Sequence, residues 1–142
     1  MTVKAILQNK SQDIVSISGE AKVSDAIALL AEKRIGALPV IEKGVVVGIF
    51  SERDVVYGLA RTGSAALDMS VAEAMTSPAV TIDPDCAVLS ALSLMTKRRI
   101  RHLPVVENAQ VAGFISIGDL VKHRIEKIEA EAAAMRDYIQ MA

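Results

Sequence analysis

Apolar side chains fall at helical spacing over Val23, Ala26, Ile27, Leu29 and Leu30, and again over Val88, Ala91, Leu92 and Met95. After each of these predicted helices comes a short β-branched run, Leu38-Pro39-Val40-Ile41 behind Gly36 and Ala37, and Leu103-Pro104-Val105-Val106 behind Arg101 and His102. Both runs predict strands, with Pro near the start, where a missing N–H is tolerated. Polar turns at Glu42-Lys43-Gly44 and Glu107-Asn108-Ala109-Gln110 lead to second strands over residues 45–50 and 111–115. Ser51…Asp54 and Ser116…Asp119 then open further helices. Short helices are expected around residues 2–7 and 70–75, the second with Ser70 and Glu73 at the spacing of a capping box. Ile17 and Ile82 mark one more short strand before each long helix.

These elements come in the same order twice. Displaced by 65 residues, segment 17–56 falls on 82–121 without a gap, and 15 of the 40 positions are identical. Apolar likeness alone would not keep Pro39/Pro104, Gly48/Gly113, Ser51/Ser116 and Asp54/Asp119 in step. The chain is therefore an internal repeat. Its expected division is a first unit over 1–62, a second over 63–124 and an amphipathic helix over 119–142. A short linker is expected from Ala60 to Ala66, with Gly63 and Ser64 at its turn. In the last helix, Val121, Ile125, Ile128, Ala132, Met135, Ile139 and Ala142 are spaced alternately four and three apart, a heptad seam over three heptads. Such a seam serves either a subunit contact or a helix folded onto its own domain; its length favours the subunit contact.

The composition narrows the possible functions. A 142-residue chain that is 51% hydrophobic with net charge −1 has the means to fold and is not a disordered polyelectrolyte. Near-neutral charge and four aromatic residues, Phe50, Tyr57, Phe114 and Tyr138, argue against nucleic-acid binding. No apolar run approaches the ~20 residues of a membrane span, and the N-terminus does not read as a secretory signal. A single cysteine, Cys86, excludes a disulfide pair within the chain, which fits a reducing compartment and a cytoplasmic protein.

With its Leu-Pro-Val strands and its two Gly-x-x-Ser-x-x-Asp runs, Gly48…Ser51…Asp54 and Gly113…Ser116…Asp119, the chain resembles a tandem CBS-domain pair, the Bateman module, over roughly residues 2–124. The resemblance implies an α+β fold: two βαββα units packed about a pseudo-two-fold axis, with clefts between them and the long C-terminal helix beyond. It also implies adenosine-containing ligands, AMP first, with ADP, ATP, NAD or S-adenosylmethionine as alternatives, and a homodimer. No catalytic or channel segment accompanies the pair in this sequence, so a sensor of this kind is expected to act on a protein partner in trans.

By the same resemblance, Asp54 and Asp119 are the expected ribose acceptors, since a carboxylate can accept from two vicinal hydroxyls. Ser-x-x-Asp at a helix start is equally an N-cap pair, and one residue can serve both purposes. Ser51 and Ser116 stand beside them. Arg53, Arg101 and His102 are the expected phosphate contacts, the guanidinium fork being suited to phosphate. Lys97, Arg98 and Arg99 read instead as a solvated helix end. Ile35, Gly36, Ala37 and Ile100 are expected beside the adenine, Ser16, Ile17, Thr81 and Ile82 on the opposite wall, and Pro39 and Pro104 next to the ligand. Met75 either closes the second pocket or belongs to a core. The first unit has three more residues than the second between its short helix and first strand (Leu7 to Ile17 against Met75 to Ile82), so the two pockets should differ.

No P-loop, zinc-binding His-Glu-x-x-His or nucleophile elbow occurs. Cys86 matches Ala21 of the first unit and reads as packing, and His123, between Lys122 and Arg124, as solvated surface. The expected function is a non-catalytic adenine-nucleotide sensor without a metal or catalytic cofactor. The alternative is an interaction module with vestigial pockets that works through its C-terminal helix.

Overall fold

The computed structural model describes residues 1–10 and 13–141. Its elements run α1 (Val3–Gln8), α2 (Val23–Lys33), β1 (Ala37–Glu42), β2 (Val45–Ser51), α3 (Glu52–Thr62), a 3₁₀ turn (Gly63–Asp68), α4 (Val71–Ala74), α5 (Val88–Arg98), β3 (His102–Glu107), β4 (Gln110–Ser116) and α6 (Ile117–Met141). The fold is α+β, two hairpin-based units with a long C-terminal helix.

The repeat extends to backbone detail. Both hairpins carry a register shift at the same place, between Val40 and Ile41 and between Val105 and Val106. Helices α2 and α5 both end on a left-handed arginine, Arg34 at φ 54° and Arg99 at φ 55°. The following amides close the turn on the helix, Ile35 N–H donating to Leu30 O at 3.1 Å and Ile100 N–H to Met95 O at 3.0 Å. The expected first strands shrink to single parallel bridges, Ile17 to Val40 and Ile82 to Val105. Pro39 O and Pro104 O accept from the amides of Ile17 and Ile82.

Two further findings depart from the sequence expectations. The linker is helical: α3 runs to Thr62, Gly63 turns the chain at φ 63°, and the 3₁₀ turn buries Ala66 beside Gly58. The short helices pack crosswise. Val3 and Ile6 of α1 join the second unit's core with Val88, Met95, Leu103, Ile115 and Leu120. Val71 of α4 joins the first unit's core with Val23, Leu30, Leu38 and Phe50. Backbone bonds fix both, with Val3 N–H donating to Cys86 O at 2.9 Å and Val71 N–H to Ala21 O at 2.7 Å.

This packing explains the paired glycines. A Cβ on Gly48 would stand 2.5 Å from Met75 Sδ and 2.9 Å from Thr76 O, and one on Gly113 2.5 Å from Leu7 Cδ2. At Gly48 the segment that follows α4 brings backbone against the strand, whereas at Gly113 it is the Leu7 side chain of α1 that lies on it. The contact puts Met75 in the first core and not over the second pocket.

Candidate functional site

Each hairpin delivers the chain into a helix through an extended serine, and three residues on a carboxylate turns back to cap that serine's amide. Ser51 N–H donates to Asp54 Oδ2 at 2.8 Å and Ser116 N–H to Asp119 Oδ2 at 2.9 Å. These capping boxes place both aspartates at helix starts, where backbone N–H groups favour negative or hydroxylated partners.

Asp54 is only 9% exposed. Its Oδ1 accepts from the Thr76 hydroxyl at 2.9 Å. Thr76 is held there because its backbone exchanges two 2.9 Å hydrogen bonds with Ile49 on β2. The cavity here measures about 400 Å³, within the usual range for a small-molecule site. Ile49, Val80, Ile100 and Ile117 give it apolar walls, Gly36 and Ala79 leave room, and Arg53, Arg101 and His102 supply cationic or protonatable groups. Arg53 is steadied across the units by donating from Nη2 to Arg99 O at 3.0 Å.

On the far side of His102, Ala37 and Ser116, which line both spaces, lies a second cavity of about 730 Å³ containing Asp119. Lys10 reaches into it. Its ammonium donates to Asp119 Oδ2 at 2.7 Å and to Phe114 O at 2.8 Å. Burial pushes the Asp119 carboxyl up, but the Lys10 hydrogen bond and the Ser116 N–H outweigh it and hold the group below the usual carboxylate range. The His102 ring stacks on Phe114, centroids 5.5 Å apart and planes 13° from parallel. Burial first, then the charges of Arg101 and Lys10, lower its pKa, against the opposing pull of Asp119 and Glu52.

The structure thus gathers Gly36, Ala37, Ser51, Arg53, Asp54, Ile100, Arg101 and His102 around the smaller cavity, and Ile35, Ala37, His102, Ser116 and Asp119 around the larger. Other expected contacts lie elsewhere. Pro39 and Pro104 are fully buried inside the hairpins, and Ile82 belongs to the second core. Ile17 packs on the first core, while Ser16 and Thr81 are exposed and line neither cavity. Ile17 and Ile82 donate their amides to Pro39 O and Pro104 O, and their carbonyls accept from the amides of Ile41 and Val106. Arg98 and Lys97 stay exposed in the last turn of α5. His123 is not solvated surface: it is half-buried, with Nε2 shielded and without a hydrogen-bond partner among the described residues. Cys86 packs half-buried against the second core; burial, then Asp83, raises its thiol pKa. Among the described residues, no group of three or more His, Cys, Asp or Glu is placed to hold a metal, and no helix is long and apolar enough to cross a membrane.

Sequence reasoning missed Thr76, Lys10 and Phe114. The only sequence signal for the first two was their place just after the short helices, beside the length difference between the units.

The CBS domain model matches this sequence twice, over residues 3–61 and 71–126. The chain belongs to the CBS-domain family. A CBS-domain protein from Agrobacterium tumefaciens has a similar structure, with TM-score 0.83 and 41% identity, over 87% of this chain and 99% of that one. The CBS-domain-containing protein CBSX3, mitochondrial, from Arabidopsis thaliana is 33% identical over 123 residues, 83% of this chain but 60% of that protein's length. The CBS domain pair of protein MJ0100, solved with 5′-methylthioadenosine and S-adenosyl-L-methionine, matches at TM-score 0.77 and 25% identity over 89% of this chain and 98% of that one. Each matched segment contains one of the two hairpins.

Proposed function

We propose that this CBS pair is a regulatory module that binds an adenine nucleotide, AMP before ADP, ATP, NAD or S-adenosylmethionine, in the Asp54 cavity and reports its level to a protein partner without performing catalysis. One observation carries the reading. A nearly buried carboxylate stands at a helix start in a 400 Å³ cavity with apolar walls, and two arginines and a histidine line the same space. Each part of a nucleotide finds its chemistry there. Asp54 accepts from the vicinal ribose hydroxyls, a flat base lies on Ile100 and Val80 beside Gly36, and Arg53 and Arg101 meet the phosphate. The adenosine ligands of the MJ0100 pair support the ligand class.

Arg53 comes from the first unit and Arg101 from the second, so a bound phosphate holds the two units together. A signal arises if the ligand prefers one arrangement of the units over another. The Asp119 cavity offers a second place for the same ligand class, but with an ammonium, Lys10, already on Asp119 Oδ2.

Calorimetric titration with AMP and with adenosine tests this site. Asp54→Asn abolishes binding of both, because a carboxamide cannot accept from two hydroxyls with a full negative charge. Arg101→Ala, at an exposed position, weakens AMP by about tenfold or more and leaves adenosine nearly unchanged, since a hydrogen bond to a charged group contributes ~1.5–3 kcal/mol. Equal affinity of wild type and Asp54→Asn for AMP removes the site.

A further inference from the structure

Beyond the nucleotide site, the longest run of exposed apolar side chains among the described residues lies on α6. Helix α6 is anchored through its first turns, where Leu120 is fully buried and His123 half-buried, and then runs on to Met141. Along this length the apolar seam faces solvent: Ile125, Ile128, Met135 and Ile139 are 49%, 48%, 60% and 65% exposed. Ala142, the last position of the seam, lies outside the described residues. The seam is therefore not the inward face of a helix folded on its own module.

The flanking charges specify what covers it. With Ile125, Ala132 and Ile139 at a positions and Val121, Ile128 and Met135 at d, the g positions hold Arg124, Glu131 and the uncharged Tyr138, and the e positions Lys122, Glu129 and Arg136. Two copies laid parallel and in register bring Arg124 against Glu129 of the second copy, and Glu131 against Arg136 of the second copy. Both pairs occur twice and all are attractive. The antiparallel arrangement that overlaps the whole seam sets Glu129 against Glu129, Glu131 against Glu131, and Lys122 against Arg136. Every one of those pairs is repulsive. We infer that α6 is a parallel, in-register pairing helix whose partner is α6 of a second copy of this chain. This inference does not depend on the nucleotide reading.

The test uses the full chain. In a Cys86→Ala background, Met135→Cys places the new thiols opposite each other across a parallel seam, whereas no antiparallel stagger that keeps a and d layers paired opposes residue 135 to itself. Mild oxidation yields a disulfide-linked dimer on a non-reducing gel. Sedimentation gives wild type the mass of two chains, and Ile128→Glu with Met135→Glu the mass of one. Both positions are exposed, so the variant keeps its fold, and its circular dichroism and unfolding temperature serve as controls. A single-chain mass for wild type, a two-chain mass that survives the double substitution, or a Met135→Cys chain that does not cross-link would each overturn the inference.

Discussion

Lys10 makes the two aspartates unequal. It stands three residues after Leu7, and the matching place after Met75 is Pro78, which has no charge to offer Asp54. One carboxylate consequently meets an ammonium at 2.7 Å, and the other a threonine hydroxyl at 2.9 Å. The pairing has a signature in acid. Asp119 titrates below its unfolded value of about 3.9, so the unfolded chain binds more protons there, and the stabilisation is present above that pH and lost as pH falls through the folded pKa. His102 acts with the same sign. Its folded pKa is below the ordinary ~6.5, so its contribution is present above that pH and lost as acidification forces a proton onto the buried ring. Lys10→Met should flatten the lower part of this profile and only soften the histidine part, whose larger causes, burial and Arg101, remain, as read from urea midpoints between pH 3 and pH 8. An unchanged slope in acid would mean that the Lys10 contact carries no weight in solution. At this scale Asp54 and Asp119 were legible because they recur in the repeat, and Arg53, Arg101 and His102 because the two copies differ there. Lys10 and Thr76 stayed hidden, since their partners lie 109 and 22 residues away.

At the scale of elements, the glycines show how the fold builds the site. Gly48 and Gly113 occupy the same strand position, yet they are not equally sensitive. An added methyl at Gly48 meets the Thr76 carbonyl, which is fixed backbone, whereas at Gly113 it meets only the movable end of Leu7. Gly48→Ala should cost about 1–3 kcal/mol, the usual penalty for overpacking, and Gly113→Ala distinctly less, both read from chemical unfolding. Gly48→Ala also moves Thr76 away from Asp54. Equal costs would show that the crossing segment yields as easily as a side chain. The long helices and the hairpins were legible because periodicity and turn chemistry are local signals. The helical linker was not, because Gly63 and Ser64 read as a loop until Ala66 finds its place beside Gly58. Nor were the shrunken first strands, whose bridges depend on the hairpin they lie against.

Across the whole molecule, the repeat that was plain in the sequence does not divide the packing in the same way. Helix α1 opens the first unit and completes the core of the second, while α4, which opens the second, completes the core of the first. A one-dimensional pattern assigns a helix to its neighbours along the chain, and only the packed structure shows it exchanged. The exchange, together with the Arg53 contact to Arg99 O, makes the Asp54 cavity a joint property of both units, and a ligand there bears on how they sit together. Thermal unfolding of the purified chain against AMP, ADP, ATP, NAD, S-adenosylmethionine and guanine nucleotides tests that account most directly. A nucleotide at 100 times its dissociation constant adds about 2.7 kcal/mol, so the account predicts a rise of several degrees with an adenine nucleotide, AMP foremost, and none with its guanine counterpart. An unfolding temperature that no adenine ligand moves would contradict it.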